Sequence, residues 1–150
     1  MRAFRIAALL ALGLAACKGG PPRPAELDTS GAEACAFCRM VISDRHLAAQ
    51  LAARGEEPRF FDDLGCLRAF LAGHPLPKGA VAYVADHRTG EWVKASAAVY
   101  AKADAVETPM GSHLLAYADA ASRKADPAAA AATPLAPEQV FGAPAPEGTR

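Results

Sequence analysis

The sequence predicts an α+β domain built from a repeated strand–strand–helix unit, and three patterns lead there. Arg59-Phe60-Phe61 reads as a short strand that runs straight into a leucine-bearing helix. Ala80 to Val84 alternates like a strand, and Glu91-Trp92-Val93 follows it across a turn-rich stretch. A second helical pattern begins after Ser112.

Along the chain, Leu47 to Ala53 comes first. Propensity alone favours helix there, but a strand turning through Gly55 to pair with Arg59–Phe61 suits the repeat better. Asp62 and Asp63 then serve as helix caps. Leu64, Leu67 and Leu71 recur at helical spacing with Phe70 beside them, and Gly73 and Pro75 end the helix. The turn residues from Asp86 to Gly90 join the next two strands as a hairpin. Ser112 is expected to cap the second helix, with Leu114, Tyr117, Ala118 and Ala121 on one face. The duplication rests on a register that pairs Leu67 with Leu114 and Ala69-Phe70 with Ala116-Tyr117.

The ends read differently. Arg2 and Arg5 precede an apolar run, Ile6 to Ala16, that is too short to span a bilayer and has the form of a signal peptide, residues 1–16. It closes on Leu14-Ala15-Ala16-Cys17, which resembles a bacterial lipobox. Cleavage before Cys17 and lipidation of that residue would hold the chain at a membrane, each buried methylene contributing about 0.8 kcal/mol. Residues 17–34 are rich in Gly and Pro and read as a flexible tether reaching roughly 20 to 25 Å. Residues 125–150 are Ala- and Pro-rich and read as a tail that is disordered or loosely docked. The folded domain is therefore expected at 35–124. The expected location is the cell envelope, lipid-anchored on the extracytoplasmic side.

Composition narrows the function. The 16 basic residues balance 16 acidic ones and form no cluster, which excludes a nucleic-acid partner. Hydrophobic residues make up 52%, but many are alanines, so the core is small. With Cys17 spent on lipid, Cys35, Cys38 and Cys66 remain. An odd number of thiols in a disulfide-forming compartment leaves at least one free, bound to metal, or paired with another chain.

Two short segments concentrate soft donors. Cys35-Ala36-Phe37-Cys38-Arg39-Met40 carries three sulfurs, and Thr108-Pro109-Met110-Gly111-Ser112-His113 carries a thioether and an imidazole. Copper(I) favours these ligand types. Arg39 stands where haem attachment would need His, and Cys35 emerges from the tether, not from the strand that a thioredoxin-like pair requires. A zinc site would need a fourth ligand beyond the three thiols, such as His46 or His74. Plain readings account for the rest: Cys66 as a buried structural thiol, Asp62 and Asp63 as caps, and His46, His74 and His87 as solvated. No acid or base is evident beside the thiols, so no enzymatic activity is expected. The competing classes are a thiol-dependent oxidoreductase or carbon–metal lyase, and a zinc docking module.

Residues 35–124 resemble the nitrous-oxide reductase accessory lipoproteins called NosL. The resemblance rests on Cys-Ala-Phe-Cys-Arg-Met, Ala49-Gln50-Leu51, Phe61-Asp62-Asp63-Leu64-Gly65-Cys66, Tyr83-Val84-Ala85-Asp86, Glu91-Trp92-Val93 and Thr108-Pro109-Met110-Gly111-Ser112, in that order. It implies a copper(I) chaperone that serves a cuproenzyme acceptor, nitrous-oxide reductase, beside a membrane transporter complex; the chain itself is expected to be monomeric or weakly associating. It also implies two related ββαβ-like halves, similar to a domain of organomercurial lyases. Cys38, Met40 and Met110 match the family's ligand motifs, with Cys35 and His113 as further candidates. Arg39 replaces the glycine common between the first two ligands, and His113 replaces a small residue.

The anchor is testable directly. Cys17→Ser should move the protein from the membrane fraction to the soluble fraction of cells producing it; unchanged partitioning would refute the lipidation of Cys17.

Overall fold

The computed structural model describes residues 20–142, so Cys17 and the signal segment lie outside the described residues. Strands β1 (Ala49–Ala52) and β2 (Arg59–Phe61) lead into helix α1 (Leu64–Gly73), followed by β3 (Val81–Ala85) and β4 (Trp92–Lys94). The second half runs β5 (Val99–Lys102), β6 (Leu114–Tyr117), α2 (Ala120–Ala125), β7 (Thr133–Leu135) and α3 (Pro137–Phe141). Every strand pairing is antiparallel, in two sheets ordered β2-β1-β3-β4 and β6-β5-β7. Each half is thus ββαβ with its first strand central, and β4 is an added edge on the first sheet. Among the described residues no helix is long and apolar enough to cross a membrane.

The first half matches the sequence reading closely. Leu51 stands opposite Arg59 across the Gly55 turn, and α1 spans the expected leucines. Asp63 caps α1 by accepting from the Cys66 amide at 2.8 Å.

The second half departs from it. Leu114 to Tyr117 is a strand, and the helix begins only at Ala120, capped by Asp119 instead of Ser112. The repeat register therefore pairs Asp63 with Asp119, not Leu67 with Leu114. Burial explains the error. Leu114 and Ala116 pack in the main core with Phe61, Leu67 and Val84, while Leu115 and Tyr117 pack in a second cluster with Ala101, Ala129 and Ala132. A strand covered on both faces shows no alternation, and its apolar run mimics a helical one. Ser112 instead makes a local turn, its hydroxyl accepting from the Leu114 amide at 3.3 Å.

Both expected flexible ends contribute to the fold. Gln50 is fully buried, and its amide side chain is satisfied by the backbone of Ala25, receiving Ala25 N–H at 2.8 Å and donating to Ala25 O at 3.0 Å. Tyr83 donates to Pro22 O and Leu27 is buried, so residues 22–27 lie on the domain and are not a free tether. Residues 125–142 are not disordered either: β7 pairs with β5, Val140 is fully buried, and Phe141 meets Tyr100 edge-on. Alanine-rich composition misled because Ala129 and Ala132 are buried in the second cluster with Leu115 and Tyr117.

The β3–β4 turn grips the second half. Asp86 accepts from the Ala118 amide, His87 N–H donates to Ala116 O, and His87 Nδ1 donates to Asp126 at 2.6 Å. Tyr117 donates to the same Asp126 oxygen at 3.0 Å. His87 is thus a structural bridge and not a solvated side chain, whereas His46 and His74 are exposed.

Burial by itself would raise the Asp126 pKa, but the hydrogen bonds from His87, the Ala128 amide and Tyr117 outweigh it and lower it. Its folded pKa lies below the unfolded value, so its stabilisation is complete above about pH 4 and fades as pH falls through the folded value. Asp126→Ala strands three donors, among them the buried Tyr117 hydroxyl, and should cost about 1–3 kcal/mol in urea unfolding at pH 7. Asp126→Asn should flatten part of the acid dependence. An unchanged midpoint for Asp126→Ala would show that the bridge contributes nothing.

Candidate metal centre

The Cys35–Met40 segment forms a tight loop closed by a bridge between Ala34 and Val41. Cys35 N–H donates to Met40 O at 2.8 Å, and Arg39 N–H donates to Cys35 O at 3.0 Å. The reversal places Arg39 at φ +68°, in the left-handed region. That geometry explains why the resemblance led to an expectation of glycine there; a side chain costs roughly 1–2 kcal/mol. Ala36 N–H donates to Phe60 O and fastens the loop beside β2.

The loop delivers Cys38 to Asp62, the residue that follows β2. The Cys38 thiol donates to Asp62 Oδ2 at 3.1 Å. The first turn of α1 brings up Cys66, and Cys35 completes the group. Donor atoms of Cys35, Cys38, Asp62 and Cys66 all lie within 4.8 Å of one another. Cys35 and Cys66 are fully buried and Asp62 nearly so, while Cys38 is half-buried. Asp62 Oδ1 is inaccessible and has no hydrogen-bond partner. Such an orphaned acceptor costs about 1–3 kcal/mol, which a cation could offset.

The second donor segment is drawn to the same helix end. Asp63 uses one oxygen for the Cys66 amide and the other for the Met110 amide, at 3.1 Å. Close approach requires Gly65: a Cβ there would sit 2.8 Å from Ser112 Cβ and 2.9 Å from Asp63 Oδ1. Thr108 is buried, and its hydroxyl accepts from the His113 amide. His113 lies at φ +57°, and its Nδ1 donates to Val106 O at 2.8 Å. That bond fixes the tautomer and leaves the lone pair on Nε2, the arrangement of a ligating histidine.

The structure thus brings Cys35 and Cys38 into one cluster and seats the Met110 loop beside it. Met40 and Met110 are joined to the cluster through backbone, and their side chains are 53% and 46% exposed. Cys66 and Asp62 were underrated by sequence, as core filler and cap. One signal was available: a helix start needs a single capping carboxylate, so Asp62 was spare beside Asp63. The fourth group at the thiols is this carboxylate, and His46 and His74 belong to no such cluster among the described residues.

Burial pushes the Cys38 thiol up to about 11; the Met40 amide pulls it down, and Asp62 and Cys35 push it further up. Cys66 is driven well above the usual thiol range by burial, then by Asp62 and Cys35. At neutral pH these thiols keep their protons, so a bound metal must displace them.

No curated protein and no solved structure gives a match to this chain. The family model NosL matches residues 26–129, a span that contains both donor loops, the thiol cluster and both strand–strand–helix units. The chain therefore belongs to the NosL family.

Proposed function

We propose that this protein carries copper(I) as cargo, held by Cys38 with Met40 and Met110, and hands it to an extracytoplasmic cuproenzyme. The NosL family has a copper-related accessory role toward nitrous-oxide reductase, which makes that enzyme the proposed acceptor. Cys35 and His113 are the proposed auxiliary ligands. Lipidation at Cys17 would keep the monomeric carrier at the membrane, beside a transporter complex that supplies or receives the ion.

The observation that carries this reading is the placement of the methionines. Met is ordinarily core filler. Here Met40 and Met110 are exposed; Met40 stands two residues from half-buried Cys38, and the Met110 amide donates to Asp63, the neighbour of the Asp62 that accepts from Cys38. Thioethers beside one accessible thiol suit a soft ion that must be both held and released. Thiol-based catalysis fits less well. A nucleophilic cysteine has a lowered pKa, whereas burial pushes Cys38 up to about 11.

Anaerobic titration against a competing chelator should find one copper(I) per chain at a dissociation constant of about 1 nM or tighter, or about −12 kcal/mol. Cys38→Ser should cost at least about a hundredfold, roughly 2.7 kcal/mol, because Cys38 supplies the anionic ligand. Met40→Leu and Met110→Leu each remove a neutral sulfur while keeping bulk, so each should cost about tenfold with folding preserved. Copper(I) affinity untouched by Cys38→Ser would sink the proposal.

The pH response follows from the protonated thiol. Copper(I) displaces one proton from Cys38, so apparent affinity should rise about tenfold per pH unit between pH 6 and 9. It should flatten only near the free-protein pKa of about 11. A plateau below pH 8 that persists in Cys38→Ser would mean that Cys38 is not the proton-releasing ligand.

A further inference from the structure

The described residues begin close to the proposed lipid anchor, and they begin fastened to the domain. Only Lys18 and Gly19 separate Cys17 from Gly20, whose carbonyl accepts from the Arg54 guanidinium. Pro22 O accepts from the Tyr83 hydroxyl at 2.6 Å, and Ala25 is held through both its N–H and its carbonyl by Gln50. Gln50 and Tyr83 stand opposite each other on β1 and β3, so this segment lies along one face of the first sheet. A fully extended chain covers at most about 3.6 Å per residue, so Gly20 stands within roughly 11 Å of a lipidated Cys17. Docking thus removes about half of the 20 to 25 Å that a free tether would supply.

The point of fastening decides which end of the domain meets the lipid. Strands β1 and β2 are antiparallel, with Ala49 opposite Phe61 and Leu51 opposite Arg59. Their connecting turn, residues 53–58, therefore lies at one end of the pair and Asp62 at the other. Arg54, which holds Gly20, belongs to that turn. Helix α1 starts at the Asp62 end and runs back along β2, where Phe70 meets the Arg59 guanidinium. The α1–β3 loop that follows lies beside the turn, Pro77 lining one shallow groove with Glu56 and Glu57. Both donor loops lie at the opposite end, where Cys38 donates to Asp62 and the Met110 amide to Asp63.

We propose that the β1–β2 turn and the α1–β3 loop form a face that rests on the lipid surface, and that the docked segment turns both donor loops away from it. The proposal rests on the lipidation of Cys17. The face carries Arg54, Arg59 and Lys78 against Glu56 and Glu57, a near balance, so the short leash and not headgroup charge sets the orientation. A domain of this size is roughly 35 Å across, too large for a leash of roughly 11 Å to let its far end swing down to the bilayer. Copper(I) is then exchanged on the aqueous side, with the extramembrane part of a partner and not from within the bilayer.

The test uses the mature chain purified from bacterial membranes and reconstituted into phosphatidylcholine vesicles that contain a headgroup-labelled acceptor lipid. A fluorescent amino acid replaces either Glu56, exposed in the turn, or Glu107, exposed beside the Met110 loop. Energy transfer to the acceptor lipid should be at least about twofold greater from position 56 than from position 107, since the two ends stand roughly 35 Å apart. Inserting about ten Gly and Ser residues between Gly19 and Gly20 adds a reach of roughly 17 Å and should abolish the difference without touching the domain. Tyr83→Phe combined with Arg54→Ala unfastens residues 20–22 and should diminish it, circular dichroism checking the fold. Equal transfer from the two positions, greater transfer from position 107, or a difference that survives the insertion would each overturn the proposal. A chain that fails to float with the vesicles removes the anchor and this orientation with it. Flotation with equal transfer removes the orientation and leaves the anchor standing.

Discussion

The start of α1 and the Met110 loop are held together by the carboxylate of Asp63. Its two oxygens accept from the Cys66 and Met110 amides, so one fully buried side chain ends a helix and positions a distant loop. Charge-assisted bonds of this kind are stronger than neutral ones, and burial removes competing water. The helix N-terminus adds its partial positive charge to the same place. Gly65 completes the arrangement by omitting the one carbon that would hold the Ser112 loop away. Without this carboxylate, the Thr108–His113 segment would lose its hydrogen bond to the helix that bears Cys66.

The neighbouring Asp62 has the opposite character. Asp63 has both oxygens engaged, whereas Asp62 accepts the Cys38 thiol with Oδ2 and leaves Oδ1 bare in the interior. Adjacent residues of one chemical type thus divide structure from binding by the number of donors each can reach. Cys38 and Cys66 are held protonated by burial and by that carboxylate. Such a pocket resists thiolate chemistry until a metal replaces the protons, which suits a carrier better than a catalyst.

The duplication shows how the site was set into an ordinary fold. In both halves a strand ends two residues before an aspartate that caps the next helix: Phe61 before Asp63, Tyr117 before Asp119. Each cap accepts from the amide three residues on, Cys66 in one half and Ser122 in the other. The position that carries a thiol in the first half therefore carries a hydroxyl in the second. There Ser122 accepts from Arg88 and helps seat the β3–β4 turn. The same local geometry offers a soft donor in one half and an inter-half hydrogen bond in the other.

Sequence by itself determined the α+β class, the strand-to-helix step at Arg59–Gly73, the hairpin around Asp86–Gly90 and the two sulfur-bearing loops, because these depend on local capping, turn chemistry and spacing. Tertiary structure decided the rest. Leu114–Tyr117 could be recognised as a strand only once partners covered both of its faces. Residues 22–27 and 125–142 are ordered by Gln50, Tyr83 and β5, partners far away in sequence. Asp62 and Cys66 join Cys35 and Cys38 because α1 starts where the Cys35–Met40 loop lies against β2. Local pattern reports how a segment bends and which face is apolar. Which donors meet in a buried space depends on long-range packing, and that packing made a cap and a core thiol into members of the thiol–carboxylate cluster.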